Sequence, residues 1–173
     1  IIKPTLKGLS NLGTAYKGFL YAGLMIKNNE PYLIEYNIRM GDPECQVLMM
    51  RLKTDLFEVI NSSINNKLND LKIEWTQKNC ITVVLCSKGY PGNYSKGKVI
   101  KNLDKIKLNK QSSIFHAGTK ILNKKLLSNG GRVLNITSSG KNFSKIRKSI
   151  VKIIKKINWH HGFFRKDIGW RVI

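Results

Sequence analysis

Three polar side chains stand two residues apart in the middle of the chain's first half: Glu35, Asn37 and Arg39. Side chains of a β-strand alternate between its two faces. A strand at this place therefore puts all three on one face and the apolar residues between them on the other, half-buried face. A carboxylate, a carboxamide and a guanidinium on one surface could bind a cation and a phosphate together.

Glu35 and Asn37 bring hard oxygen atoms to that face, with Cα atoms about 7 Å apart. Mg²⁺ is often held by one or two protein oxygens and takes its other ligands from water and substrate phosphates. Arg39 adds a planar fork of donors that suits a phosphate or an acyl phosphate. The three residues predict a metal-assisted phosphoryl-transfer site. The alternative interpretation is the solvated face of an ordinary antiparallel strand.

The residues that follow indicate a turn and then a helix. Gly41 permits a sharp turn, Asp42 is a good helix N-cap, and Pro43 suits the first helical position. Glu44 falls in the first turn, where the helix dipole favours an acid. Asp42 could serve as a structural cap or as an anchor for a substrate amine, and both interpretations stay open.

Several strings in this chain resemble one known family. The string RMGDPECQV, residues 39–47, closely resembles the signature of the glycinamide ribonucleotide synthetases, which are ATP-grasp ligases. Further strings match that family in order and spacing, so the resemblance runs almost from end to end. They are YKGFLYAGLMI, MMRLKTDL, GYPGNYSKGKVI, FHAGTK, SNGGRVLNITSSG and FFRKDIGWRVI.

The resemblance implies a reaction in which ATP phosphorylates glycine and 5-phosphoribosylamine attacks the glycyl phosphate. It assigns Glu35 and Asn37 as ligands of Mg²⁺ or Mn²⁺, and Arg39 as the catalytic arginine beside the ATP phosphates. It places Asp42 in the glycine or phosphoribosylamine site. Met40 and Cys45 stand where the family usually has Phe and Thr, and we expect only packing consequences from these two changes.

Arg132 is a second candidate for substrate binding. It follows Gly130 and Gly131, whose backbone could approach an anion such as a sugar phosphate. The alternative interpretation is an ordinary hairpin with a tight turn at Asn129 and Gly130.

The family resemblance also implies that much of the enzyme precedes Ile1. Family members are much longer, and their N-terminal domain, lid, ATP-binding lysine and glycine-rich loop have no counterpart in this sequence. We therefore expect this chain to be the C-terminal part of the ligase, inactive by itself, with the missing N-terminal portion as its partner. Another ATP-grasp carboxylate–amine ligase is a further alternative.

The composition fits a compact part of a cytoplasmic enzyme. The chain has 173 residues, 42% of them hydrophobic, which is enough to build a sizeable core. No apolar run reaches the roughly 20 residues that a membrane span needs, and no signal-peptide pattern opens the chain. Cys45, Cys80 and Cys86 form an odd set without a C-x-x-C motif, which indicates free thiols in a reducing compartment.

The formal charge of +21 favours a different class of protein, a non-enzymatic basic domain that binds nucleic acid or another polyanion. The 31 basic residues occur along the whole chain and are mostly lysine. A dedicated nucleic-acid groove would cluster arginine with stacking aromatic residues. We therefore expect no specific nucleic-acid partner and no membrane partner.

The pattern of elements predicts an α+β fold in two domains, residues 1–75 and 76–173. The first is expected to be the C-terminal half of an ATP-grasp domain, an antiparallel sheet with helices, and the second a small α+β C-terminal domain. The predicted strands cover residues 18–26, 32–40, 80–87, 114–117 and 132–137. A turn at Asn28 and Asn29 should join the first two as an antiparallel hairpin. Three helices are predicted. The first begins after Asp42, the second begins after a cap at Thr54, and the third covers residues 142–157.

The last of these helices has isoleucines at helical spacing and lysines over much of the remainder. Such a stripe is typical of a helix packed on a sheet. A basic amphipathic helix on a membrane surface is the alternative interpretation.

Overall fold

The computed structural model describes residues 1–173, which form helices and antiparallel sheets of the α+β class. The helices are α1 (Ile2–Asn11), α2 (Glu44–Arg51), α3 (Leu56–Ile64) and α4 (Phe143–Ile154). The strands are β1 (Tyr21–Lys27), β2 (Glu30–Asn37), β3 (Asn79–Ser87), β4 (Ser112–His116), β5 (Thr119–Leu122), β6 (Lys125–Ser128), β7 (Arg132–Gly140) and β8 (Gly162–Phe163). Two short 3₁₀ turns cover Leu68–Asp70 and Trp170–Val172.

The chain divides into two compact units. The first unit comprises Ile1–Cys45 and Leu52–Thr76, and the second unit comprises Gln46–Arg51 and Gln77–Ile173. Compactness alone does not define the limits of an inherited domain. The domain boundary expected between residues 75 and 76 therefore stays a prediction.

Strands β1 and β2 form an antiparallel hairpin in the first unit. Its turn residues Asn28 and Asn29 have φ angles of 52° and 61°, the left-handed conformation that a tight hairpin turn needs. The last cross-strand pair joins Tyr21 to Asn37. The strand therefore ends at Asn37, and the prediction that it continues to residue 40 was wrong.

The first unit has almost no interior. Gly41 is the only buried residue among residues 1–80. The apolar face expected to be half-buried is exposed at Ile34 (64%) and Ile38 (77%), whereas Tyr36 and Met40 of the same face are partly buried. The expected burial was therefore wrong at the two isoleucines and confirmed at Tyr36 and Met40.

The two helices after the hairpin begin one residue later than the sequence predicted. Helix α2 starts at Glu44, so Pro43 lies before the helix and is not its first residue. Helix α3 is capped by Asp55, whose carboxylate accepts hydrogen bonds from the N–H groups of Phe57 and Glu58. Thr54, the predicted cap, instead accepts a hydrogen bond from the backbone N–H of Glu74 at 2.7 Å.

The second unit contains the hydrophobic core. Its four-stranded antiparallel sheet has the order β4-β7-β3-β8, and α4 packs on β7 and β3. Asn142 caps α4 by accepting a hydrogen bond from the Lys145 N–H at 3.0 Å. The core side chains are Ile81, Val83, Leu85, Ile100, Val133, Leu134, Ile136, Ile146, Ile150, Ile153, Ile154 and Trp159.

The buried isoleucines of α4 decide between the two interpretations of this helix. Ile146, Ile150, Ile153 and Ile154 belong to the core, which confirms the helix packed on a sheet. The membrane-surface alternative was wrong, because the apolar face is already covered by protein. None of the helices has both the length and the apolar character that crossing a bilayer requires.

Strands β5 and β6 form a separate hairpin that the sequence did not predict. Its turn residues Asn123 and Lys124 have φ angles of 48° and 59°. The tight hairpin predicted at Asn129 and Gly130 was wrong, because β6 and β7 belong to different sheets. The Asn129 N–H instead donates to the Gly118 carbonyl at 2.7 Å.

Charge is divided very unevenly between the units. The first unit has eight basic and eight acidic residues, so its formal charge is zero. The second unit has 23 basic and two acidic residues, so it carries the whole formal charge of +21. Basic residues do occur along the whole chain, but the acidic residues that balance them do not.

Candidate active site

The three predicted polar side chains lie together and form a row of hydrogen bonds. The Asn37 side-chain N–H donates to Glu35 Oε1 at 2.9 Å, and Arg39 Nη2 donates to Asn37 Oδ1 at 3.2 Å. Arg39 also donates from Nη1 to the Met40 carbonyl at 2.9 Å. Arg39 therefore reaches Asn37, which in turn bonds Glu35, although Arg39 lies beyond the end of β2.

Strand β1 provides room for this row. Gly23 lies opposite Glu35, and a Cβ atom at Gly23 would come within 3.1 Å of Glu35 Cγ. That contact is tighter than most Cβ contacts, so a side chain at residue 23 would require Glu35 to shift by a few tenths of an ångström. Glycine opposite Glu35 therefore helps to set the position of the proposed metal ligand.

A second hydrogen bond connects the hairpin to the start of α2. Tyr21, the cross-strand partner of Asn37, donates from its hydroxyl to Glu44 Oε1 at 3.1 Å. A Cβ atom at Gly41 would lie 2.9 Å from both Glu44 Cδ and Tyr21 Cε2. Only glycine fits between them. Burial raises the pKa of Tyr21, and the hydrogen bond to Glu44 and its negative charge raise it further, so the phenol stays a donor.

Asp42 is exposed in the turn that joins the row to α2. The turn is closed by the Cys45 N–H, which donates to the Gly41 carbonyl at 2.9 Å. The Sγ atom of Cys45 lies 3.3 Å from the Sδ atom of Met40, so these two side chains contact each other. Whether Asp42 anchors a substrate amine stays a prediction.

Arg132 belongs to the second unit and lies against Tyr90. Its Nε donates to the Tyr90 hydroxyl at 3.2 Å, and its guanidinium carbon lies 5.9 Å from the centre of the Tyr90 ring. A side chain at Gly131 would overlap that ring, so glycine is needed for this packing. The guanidinium is thus held in one place on the surface of its unit, as an anion-binding group requires.

The donor set of the row fits some metals better than others. No group of three or more His, Cys, Asp or Glu side chains in residues 1–173 is placed to hold a metal ion. Zinc sites need three or four protein ligands of this kind. Glu35 and Asn37 are neighbouring side chains with hard oxygen atoms, which suits a magnesium-type cation that shares substrate phosphates. The Asn37 amide presents its N–H to Glu35 and its Oδ1 to Arg39, so its oxygen has to turn toward Glu35 to share such a cation.

Sequence reasoning missed the supporting roles of Tyr21 and Gly23. The turn at Asn28 and Asn29 sets Lys27 opposite Glu30, and counting outward puts Gly23 opposite Ile34. A register shift between Gly23 and Leu24 moves the pairing by one residue. No signal in the sequence alone marks that shift.

Known proteins that resemble this chain place it among the ATP-grasp enzymes. Residues 1–45 match the ATP-grasp (A) domain of phosphoribosylglycinamide synthetase, and residues 80–171 match the C domain of the same enzyme. The chain belongs to the phosphoribosylglycinamide synthetase family.

Individual relatives align with the chain over its whole length. The phosphoribosylamine–glycine ligase of Brucella melitensis is 43% identical over 173 residues, which are 100% of this chain and 40% of that protein. The chloroplastic phosphoribosylamine–glycine ligase of Arabidopsis thaliana is 44% identical over 177 residues, which are 100% of this chain and 33% of that protein.

A solved structure resembles the fold as well. The crystal structure of phosphoribosylamine–glycine ligase from Thermotoga maritima superposes with a TM-score of 0.72 at 33% identity. The match covers 94% of this chain and 40% of that chain. The chain thus spans about 40% of the length of the Brucella and Thermotoga ligases.

Proposed function

We propose that this chain is the C-terminal part of an ATP-dependent ligase that joins glycine to 5-phosphoribosylamine. The products are glycinamide ribonucleotide, ADP and phosphate. The observation that carries the proposal is the hydrogen-bonded row of Glu35, Asn37 and Arg39, in a chain that matches such ligases over its whole length. The same whole-length similarity disfavours a non-enzymatic polyanion-binding domain.

In this proposal Glu35 and Asn37 hold the divalent cation that ATP-grasp ligases use. Mg²⁺ and Mn²⁺ both suit an oxygen pair, and either ion would neutralise phosphate charge during transfer. Exposure of the Glu35 carboxylate supports the assignment, because a cation that shares ATP phosphates has to be reached from solvent.

Arg39 is proposed to stabilise the transferring phosphoryl group and the glycyl phosphate. A fixed cation stabilises phosphoryl transfer most when negative charge develops in the transition state. Its bonds to Asn37 and the Met40 carbonyl hold it beside the proposed cation site. Asp42 and Arg132 are proposed to bind glycine or phosphoribosylamine, Asp42 through the amine and Arg132 through the sugar phosphate.

Activity is proposed to require the remaining length that the relatives possess, including an ATP-binding lysine and a phosphate loop. The ATP-grasp part and the C-terminal domain are proposed to meet between residues 75 and 76. A cytoplasmic location remains a prediction, because one of the relatives is chloroplastic.

The test uses a completed enzyme, in which the N-terminal portion of the Brucella melitensis relative precedes this chain. ADP release that depends on glycine and phosphoribosylamine should appear in this chimera and not in the chain by itself. Glu35→Gln and Asn37→Ala should each reduce turnover and raise the Mg²⁺ concentration needed for half-maximal rate. Glu30→Gln is the matched control, because Glu30 is also an exposed carboxylate on β2.

The assignment is refuted if both site variants keep the turnover and the Mg²⁺ dependence of the parent chimera. Activity of the parent with another amine in place of phosphoribosylamine would instead indicate a different ATP-grasp ligase. A loss in Glu30→Gln equal to that in Glu35→Gln would mean that charge on the hairpin, and not the row, is what matters.

A further inference from the structure

A large open cleft lies entirely within the second unit and shares no residue with the candidate active site. Its volume is about 1010 Å³. Its lining includes Ile114 and His116 of β4, and Ile121 of β5 with its cross-strand partner Leu126 of β6. Residues 99–106 and Leu108 also line the cleft.

About half of the residues that line this cleft are apolar. Ile100 belongs to the hydrophobic core, and Leu103 and Ile106 pack against that core from the cleft side. Ile121 is 76% exposed and Leu108 is 39% exposed, although both line the cleft. Contiguous exposed apolar surface on a folded unit usually marks an interaction site.

The rim of the cleft is strongly basic. Lys101, Lys105, Lys124 and Lys125 line it, whereas Asp104 is its only acidic residue. These lysines are exposed, so they can reach a bound partner without repacking. An occupant with an apolar face between acidic flanks would match both features.

The lining also indicates what does not fit. Apart from the imidazole of His116, the cleft has no aromatic side chain on which nucleic-acid bases could stack. Small-molecule sites enclose most of their ligand, whereas Ile121 of the cleft lining is largely exposed to solvent. An amphipathic helix laid in a groove leaves its polar face in water and needs no enclosure.

We propose that this cleft is a docking groove for an acidic amphipathic helix of a partner protein. Apolar residues at positions i, i+3, i+4 and i+7 of that helix would lie against the apolar part of the lining, which includes Ile114 and Ile121. Glutamate and aspartate on its flanks would face the four lysines of the rim. This inference is independent of the ligase function, because no residue of the cleft belongs to the proposed active site.

The test measures binding of a fluorescent synthetic helix with leucines at those spacings and glutamates on its flanks, by anisotropy at 150 mM salt. That ionic strength screens charges beyond about 8 Å, so distant lysines contribute little. Ile121→Ser and the double variant Lys101→Glu with Lys125→Glu should each weaken binding about tenfold. These residues are exposed, so the variants should keep the parent's circular dichroism spectrum.

The matched control is Lys148→Glu with Lys152→Glu on the exposed side of α4, which changes the net charge equally. This control should bind within about twofold of the parent. A peptide of the same composition with a scrambled order should bind at least about tenfold more weakly, because its apolar residues do not share one face.

Three results would each overturn the proposal. The first is an equal loss of affinity in both double variants, which would mean general attraction to a basic unit. The second is equal binding of the scrambled peptide. The third is displacement of the helix by laurate or by a single-stranded oligonucleotide at lower concentration than by unlabelled peptide, which would assign the cleft to a different ligand class.

Discussion

The two units differ in what they contain, the first having the polar row proposed as the active site and the second a packed interior. Glu35 and Asn37 lie on the hairpin and Arg39 just beyond it, in a unit where Gly41 is the only buried residue. In the second unit, α4 and β7 place fully buried side chains such as Ile150 and Val133 in one core. The polar row proposed as the active site thus belongs to the unit without a packed interior.

The same division applies to charge. The first unit is formally neutral and the second carries +21. Mutual repulsion among basic residues opposes folding of the second unit, and its apolar core has to offset that cost. The first unit has neither the repulsion nor the core, so its stability depends on exposed hydrogen bonds that are worth about 0.5 to 1.5 kcal/mol each.

The largest expected effect concerns the core. Ile150→Ala should lower the free energy of unfolding by about 2 to 5 kcal/mol, because it leaves a cavity at a fully buried position. Ile34→Ala in the hairpin should change it by less than about 0.5 kcal/mol, since that side chain is 64% exposed. Urea unfolding followed by circular dichroism measures both. Equal losses would mean that the hairpin has a core of its own.

The next effect concerns chemistry in the first unit. In the completed enzyme, Arg39→Ala should reduce kcat by about 10² to 10³, because in its proposed role the guanidinium stabilises charge that develops during transfer. The KM for glycine should change much less. Lys27→Ala at the far end of β1 is the control and should retain activity. A loss confined to glycine affinity would contradict the catalytic role.

A third effect concerns the reactivity of the Cys80 thiol in the native and in the unfolded chain. Burial raises the pKa of Cys80 from its ordinary value of 9.0 to about 11, although Arg51 lowers it slightly. At pH 8 the native chain should therefore form about a hundredfold less Cys80 thiolate than the unfolded chain, and react with iodoacetamide correspondingly slower. Mass spectrometry of alkylated peptides measures the rates.

The sign of the pH dependence follows from that raised pKa. The unfolded chain loses the Cys80 proton first, so stability should fall as pH rises from about 9 to about 11. Over the same range the native and unfolded alkylation rates should converge. A rate difference that stays constant up to pH 11 would mean that steric protection, and not the raised pKa, slows the reaction.

The smallest effect tests the link between the hairpin and α2. Tyr21→Phe removes the hydrogen bond to Glu44, which is worth about 0.5 to 1.5 kcal/mol, so the Cys45 amide should exchange its hydrogen up to about tenfold faster. Tyr32→Phe, which alters a 56% exposed tyrosine in the same hairpin, is the control. Equal acceleration in both would show that the hairpin opens as one piece regardless of Tyr21.

Sequence reasoning succeeded where the signal is local or periodic. The asparagine pair at residues 28 and 29 correctly predicted a hairpin turn, because few other residues accept positive φ. The isoleucine spacing in α4 correctly predicted which side is buried. The proximity of Glu35, Asn37 and Arg39 followed from alternation on a strand, although Arg39 lies just outside it. Their metal and catalytic roles remain predictions.

Sequence reasoning failed where two local choices were nearly equal. Thr54 and Asp55 are both good helix caps, and in the structure Asp55 is the residue that caps α3. The Asn129–Gly130 pair has the composition of a tight turn, yet it joins two different sheets. In each case the competing structures have similar local energies, and distant contacts select between them.

The sequence by itself determined the family, the α+β class and the polar row, because motif order, alternation and helical spacing are properties of neighbouring residues. Only the tertiary structure decided that Gly23 lies opposite Glu35, since a register shift leaves no mark in composition. It also decided that Ile114, Ile121 and Leu126 form one cleft. Such pairings depend on the free energy of packing between segments that are remote in sequence, and this free energy is not a property of any short stretch of residues.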